Sequence, residues 1–142
     1  MRIWLVPAWL TLSALAMAQP ADKIYPGARL DPTGTEQARN LSAGQPDLDI
    51  TVCITADPFE KVYDFFGKKG REFKTIGTRV RKLPNGQELH DAFFILDNAS
   101  DLASSKRWVK LQRPYIGQYG LARNSAGREI RDVTAIVFSA KK

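Results

Sequence analysis

Leu48-Asp49-Ile50-Thr51-Val52-Cys53-Ile54-Thr55-Ala56-Asp57-Pro58-Phe59-Glu60-Lys61-Val62-Tyr63-Asp64-Phe65-Phe66 is the stretch on which the fold turns. Its first eight residues alternate, Leu48, Ile50, Val52 and Ile54 against Asp49, Thr51, Cys53 and Thr55, the period of two that marks a strand with one buried face. The period then changes to that of a helix. Phe59, Val62, Tyr63 and Phe66 fall at i, i+3, i+4 and i+7, an aromatic stripe suited to packing on a sheet. Asp57 is placed to cap this helix, Pro58 fits its first position, and Glu60 completes a D-x-x-E variant of the capping box. Gly67 or Gly70 would end it, with Lys68 and Lys69 near the negative end of its dipole.

Downstream the pattern is that of strands. Phe73–Lys82 and Glu88–Leu96 flank Leu83-Pro84-Asn85-Gly86, and Asn-Gly between two such runs predicts a hairpin. Phe93, Phe94, Ile95 and Leu96 run consecutively, so both faces of the second strand should be covered. Residues 98–105 read as a loop or single helical turn, Trp108–Tyr115 as a strand ended by Pro114, Asn124–Gly127 as a turn, and Ile130–Ser139 as a last strand. These elements predict an α+β fold: one antiparallel sheet of about five strands with one main helix packed on one face, a two-layer sandwich. That domain spans residues 47–142.

Upstream, residues 19–46 read as an extended arm. Pro20, Pro26, Gly27, Pro32, Gly34, Gly44 and Pro46 punctuate it, and no apolar period is sustained. Tyr25-Pro26-Gly27-Ala28 suits a type II turn. A short helical turn over Glu36–Leu41 would stop at Gly44. Residues 1–18 are different again: Arg2 precedes a charge-free run of Leu, Ala, Trp and Val that ends in Ala16-Met17-Ala18. Small residues at those two spacings are what signal peptidase accepts, so the stretch predicts a cleaved signal peptide and an exported protein, periplasmic or extracellular. Pro7 and the shortness of the run argue against a retained membrane anchor, so no transmembrane segment is expected after cleavage.

The whole chain has 142 residues, 44% of them hydrophobic and 25% charged, which excludes collagen-like and wholly disordered classes. A single cysteine, Cys53, cannot close an internal disulfide, and in an oxidising compartment a lone thiol survives best when buried. Catalytic chemistry has few footholds. With one histidine, His90, and one cysteine, the chain lacks the usual zinc ligand set. Asp47, Asp49 and Asp97 could in principle meet a hard cation, but strand-edge and loop solubility explain them more simply. Neither dinucleotide nor P-loop glycine patterns occur, and no cofactor is expected. A Cys53/His90 nucleophile pair would need a third, orienting group; Asp91 adjoins His90 but points to the other face of its strand. Glu60 and Asp64, four apart on the helix, flank the apolar stripe and are expected to be solvated.

Three short motifs, Tyr25-Pro26-Gly27-Ala28, Thr55-Ala56-Asp57-Pro58-Phe59-Glu60-Lys61-Val62-Tyr63-Asp64-Phe65-Phe66 and Gln112-Arg113-Pro114-Tyr115, resemble those of small uncharacterised exported bacterial proteins. That group shares a YPGA turn, a T-x-D-x-F-x-x-V-x-x-F-F strand-helix junction and an RPY strand end. The resemblance implies a fold and an exported location. It carries no established activity and hence no catalytic residues.

Charge is unevenly distributed along the chain. Four cations stand against eight carboxylates from Asp22 to Asp64, and sixteen against seven from Phe65 onward. Lys68, Lys69, Arg71, Arg79, Arg81, Arg107 and Arg113 are the candidate residues of an anionic-ligand patch, set among aromatic residues. The plainer expectation is that these cations are solvated or pair with the acidic front half. Gln112–Gly117 is a second candidate contact rim, although Pro114 reads more simply as a strand terminator. Two functional expectations follow. The first is a non-catalytic binding module that meets an anionic envelope surface or a protein partner, export making intracellular nucleic acid an unsuitable target. The alternative is a cell-envelope hydrolase using Cys53/His90 or carboxylates, which requires those groups to converge in one pocket.

Overall fold

The structure, a computed structural model, describes residues 20–74, 80–116 and 130–142. The expected signal peptide, Arg79 and the turn at 124–127 lie outside them. In chain order the first elements are α1 (Ala21–Ile24), β1 (Arg29–Leu30), α2 (Pro32–Leu41), β2 (Leu48–Thr55) and α3 (Phe59–Gly67). Then follow β3 (Arg71–Phe73), β4 (Val80–Lys82), β5 (Glu88–Ile95), β6 (Arg107–Arg113), β7 (Tyr115–Ile116), β8 (Ile130–Arg131) and β9 (Thr134–Lys141).

The α+β class and the antiparallel sheet agree with the sequence; the strand count and the single helix on one face do not, because Ala38 of α2 packs with the face of β2 opposite α3. Seven strands pair in the order β1-β2-β9-β6-β5-β3, with β4 also on β5. One extra strand, β1, comes from the segment expected as an arm. The other arises because the single strand expected over 73–82 is two pieces, which pair with opposite halves of β5: Phe73 lies opposite Phe93, and Val80 opposite His90. The hairpin between β4 and β5 forms as expected. The Gly86 N–H donates to the Leu83 carbonyl, and Gly86 takes φ +83°, a left-handed position that glycine occupies without penalty. β7 and β8 make a separate two-stranded ribbon.

β2 is buried on both faces over most of its length, not on one. The pleat sends alternate residues to opposite sides, and the two sides belong to different clusters. Cys53, Ala92, Phe94, Val109, Leu111, Ile136 and Phe138 cluster with Phe59, Val62 and Phe66 of α3. Ile50, Val52, Ile54 and Ala135 cluster with Ala38 of α2 and with Tyr115. The aromatic stripe therefore meets the Cys53 side of the strand, not the Ile50–Val52–Ile54 side that the alternation marks as apolar. Tyr63 and Phe66 meet the Phe94 ring at centroid distances of 5.2 and 6.4 Å. Full burial of such a side chain contributes about 1.5–3 kcal/mol.

The expected extended arm is structured because it closes the exposed edge of β2. Among the described residues, Arg29 and Leu30 alone pair with that edge as a strand. Beyond them, the Asp31 N–H donates to the Val52 carbonyl, the Thr35 hydroxyl accepts from the Val52 N–H, and Arg39 Nε donates to the Ile50 carbonyl at 3.0 Å. Side chains of α2 thus continue the ladder and satisfy backbone groups that would otherwise template another strand. The helix is also longer than the turn expected at 36–41, beginning at Pro32, which suits a first helical position. The type II turn at 25–28 is present: the Ala28 N–H reaches the Tyr25 carbonyl and Gly27 has φ +79°.

The expected capping box of α3 does not form. The helix begins at Phe59, so its N-cap is Pro58, which has no side-chain acceptor, and the Asp57 carboxylate instead accepts from the Tyr25 hydroxyl at 2.7 Å and pairs with Lys61 at 3.4 Å. Among the described residues no helix is long and apolar enough to cross a membrane.

Candidate anion-binding slot

At the C-terminal end of α3 the chain leaves a cavity of about 260 Å³. Ile24, Phe65, Phe66, Leu96 and Phe138 form its apolar walls, and among the described residues Lys23, Lys69 and Arg107 are the charged ones that line it. Each cation arrives by a different element. Lys23 sits in α1, which the bond from Tyr25 to Asp57 anchors beside α3. Lys69 follows the last turn of α3, where its N–H donates to the Phe66 carbonyl. Arg107 opens β6, and its carbonyl accepts from the Leu96 N–H at 2.9 Å, so these two slot residues are held together across the β5–β6 connection.

Asp97 ties the two ends of that connection together. Asp97 accepts from the Lys106 N–H, the Ser105 hydroxyl and the Ala99 N–H. The Lys106 bond, with the others behind it, outweighs partial desolvation and holds the Asp97 carboxyl below the usual range. Two of the slot cations lie against aromatic rings: Lys69 Nζ is 5.4 Å from the Phe65 centroid, and the Arg107 guanidinium 5.7 Å from that of Phe138. None of the three forms an ion pair with a carboxylate among the described residues. Positive charge is thus available at the mouth of an apolar recess, an arrangement that favours anions.

Of the seven cations proposed from sequence, the structure brings two, Lys69 and Arg107, to this slot. Lys68 is exposed beside it and does not line it. Arg71 is committed to the Ala99 and Ser100 carbonyls, and Arg81 to Asp91 at 2.8 Å. Arg113 is committed most heavily. It donates to the carbonyls of Ala56, Asp57 and Asp132, to the Thr134 hydroxyl and to the Asp132 carboxylate. Arg79 lies outside the described residues. Lys23 and Ile24 were missed, because two residues in an unpatterned arm give no periodic signal.

The three sequence motifs converge on one junction, between β2 and α3. Tyr25 of the first donates to the Asp57 carboxylate of the second, and Arg113 of the third donates to the Asp57 carbonyl. Tyr115, the last residue of the third motif, packs on the opposite face with Ala38 and Val52. The motif side chains are engaged in holding elements together. Burial, and the bond to Asp57, push the Tyr25 hydroxyl up to about 12.

Cys53 and His90 are not brought together. Cys53 lies opposite Ile136, Ile136 opposite Leu111, and Leu111 opposite Ala92, two residues from His90. Three strand spacings, roughly 14 Å, separate β2 from β5. The Cys53 sulfur instead points at the Ile136 carbonyl, and burial pushes the thiol up to about 12. Cys53 is expected to resist a water-soluble thiol reagent in the folded protein and to react fully once denaturant unfolds it. Modification of the native protein would contradict this burial. The unfolded chain releases the thiol proton near 9 and the folded chain near 12. The folded state therefore binds more protons in between, so this contribution to stability is complete below about pH 9 and is lost as pH rises toward 12.

His90 lines a second cleft of about 330 Å³ with Glu60, Glu88, Arg113 and Asp132. Arg113 pairs with Asp132 at 3.0 Å, and His90 Nε2 lies 3.6 Å from the Glu88 carboxylate. Asp64 is exposed on α3 and does not line the cleft. Among the described residues, no group of three or more His, Cys, Asp or Glu side chains could hold a metal ion. No protein-family model matches the chain, and no curated protein or solved structure matches it significantly.

Proposed function

We propose that the chain is an exported, non-catalytic binding domain that holds an anionic ligand in the slot beside α3. Lys23, Lys69 and Arg107 around an apolar recess, with no carboxylate among the described lining residues, is the observation that carries this reading. Export rests on Arg2, the uncharged run after it and Ala16-Met17-Ala18, and it makes the periplasm or the exterior the place of action. An anionic envelope surface or an anionic protein partner would present the required charge there. The wide separation of Cys53 from His90 and the raised thiol speak for binding over thiol hydrolysis.

Elution from phosphocellulose tests the reading. Exposed charges are screened as the Debye length falls from about 10 Å at 0.1 M salt to about 3 Å at 1 M. The protein should bind at low salt and elute as salt rises. The triple variant Lys23→Gln, Lys69→Gln, Arg107→Gln should elute much earlier than a variant neutralised at Lys61, Lys82 and Lys142. Equal elution of the two variants would show that net charge, not the slot, holds the matrix.

A further inference from the structure

Resting on the anion-binding reading, we infer that the slot's ligand is an amphiphile: a single alkyl or aryl chain that carries a carboxylate or phosphate head. Five apolar side chains, Ile24, Phe65, Phe66, Leu96 and Phe138, make the recess. A small hydrated anion would gain nothing from them and would lose water on entering. The orientation follows from the helix. Phe65 and Phe66 belong to the carbonyl end of α3, which carries partial negative charge, so an anion deep in the recess would be repelled. The cations stand at the rim, Lys69 and Arg107 each against a ring face and all three solvent-exposed. The head group therefore stays at the mouth among the cations, and the chain enters between the Phe65, Phe66 and Phe138 rings. A cavity of about 260 Å³ is on the small side of the roughly 300–1,000 Å³ that drug-sized ligands occupy, which suits one chain or ring.

Free alkyl carboxylates and anionic membrane lipids share this chemistry. The test is a titration of the purified protein with butanoate, hexanoate, octanoate and decanoate below their micelle concentrations, followed by NMR shifts of the aromatic and methyl signals. Each added methylene that enters the recess should tighten binding about fourfold, and the gain should level off once the recess is full. Leu96→Ser should flatten that dependence, and decyltrimethylammonium should bind far more weakly than decanoate. Phosphatidylglycerol vesicles form the second arm. Displacement of decanoate by vesicles identifies a bilayer lipid as the source, and decanoate binding untouched by vesicles identifies a soluble amphiphile. Carboxylates that bind with no dependence on chain length would overturn the amphiphile and leave the anion reading standing. Decyltrimethylammonium binding as tightly as decanoate would overturn both.

Discussion

Phe94→Ala should cost about 3–5 kcal/mol of folding stability and lower the thermal midpoint by roughly 10–20 °C. Phe94 is 1% exposed and sits where α3 meets the sheet, touching Tyr63 edge-on and Phe66 at a tilt. It lies opposite Val109 on one neighbouring strand and Glu72 on the other, in the interior of the sheet. Truncation removes the transfer energy of the ring and two aromatic contacts, and leaves a hole that neighbours fixed in strands can fill only in part. Phe93, the next residue, supplies the control. It faces the other side, half-buried, with Lys110 Nζ 5.8 Å from its ring. Phe93→Ala should cost distinctly less. Denaturant unfolding of both variants measures the difference, and equal losses would contradict the assignment of the two faces.

Arg113→Ala is expected to cost about 2–3 kcal/mol and to leave anion binding unchanged. One guanidinium joins the end of β6 to the β2–α3 junction through the Asp57 carbonyl at 3.0 Å and to the start of β9 through the Thr134 hydroxyl at 3.0 Å. Its side chain is only 21% exposed, so the carbonyls it serves have poor access to water as replacement. Thr134 still donates to the Asp57 carbonyl in the variant, which limits the loss. Arg113→Lys should recover little, because one ammonium cannot span partners that the planar fork reaches together. The two readouts separate the roles this residue could have. Lost stability with normal phosphocellulose retention supports the structural role; normal stability with lost retention would return Arg113 to the binding surface.

How far such residues can be read from sequence depends on whether their signal is local. The alternation at 48–55, the aromatic stripe from Phe59 to Phe66 and the Asn85-Gly86 turn are local patterns, and each forms the element it predicts. Position in the sheet is not local. Nothing in Thr134–Lys141 indicates that it lies between β2 and β6, and nothing in Cys53 indicates that its side of β2 takes the aromatic helix. The arm was misread because its order comes from partners elsewhere: Thr35 and Arg39 read as surface polar residues until β2 offers Val52 and Ile50 as backbone partners. Asp57 read as a helix cap by the same local logic, and a tyrosine thirty-two residues upstream claimed it. Clustering of cations in the sequence identified basic character but not which charges are free. Arg71, Arg81 and Arg113 are spent within the fold, and the slot recruits Lys23 from the acidic half.

Decanoate titration of the wild-type protein beside two doubly charge-reversed variants puts the slot to its most direct trial. Lys69→Glu/Arg107→Glu and Lys82→Glu/Lys142→Glu change the net charge equally, and only the first alters the mouth of the recess. The wild type and the second variant should bind alike, with the first weaker by at least about tenfold, the equivalent of 1.4 kcal/mol. Equal affinity in all three proteins would contradict the assignment of an anion to Lys23, Lys69 and Arg107.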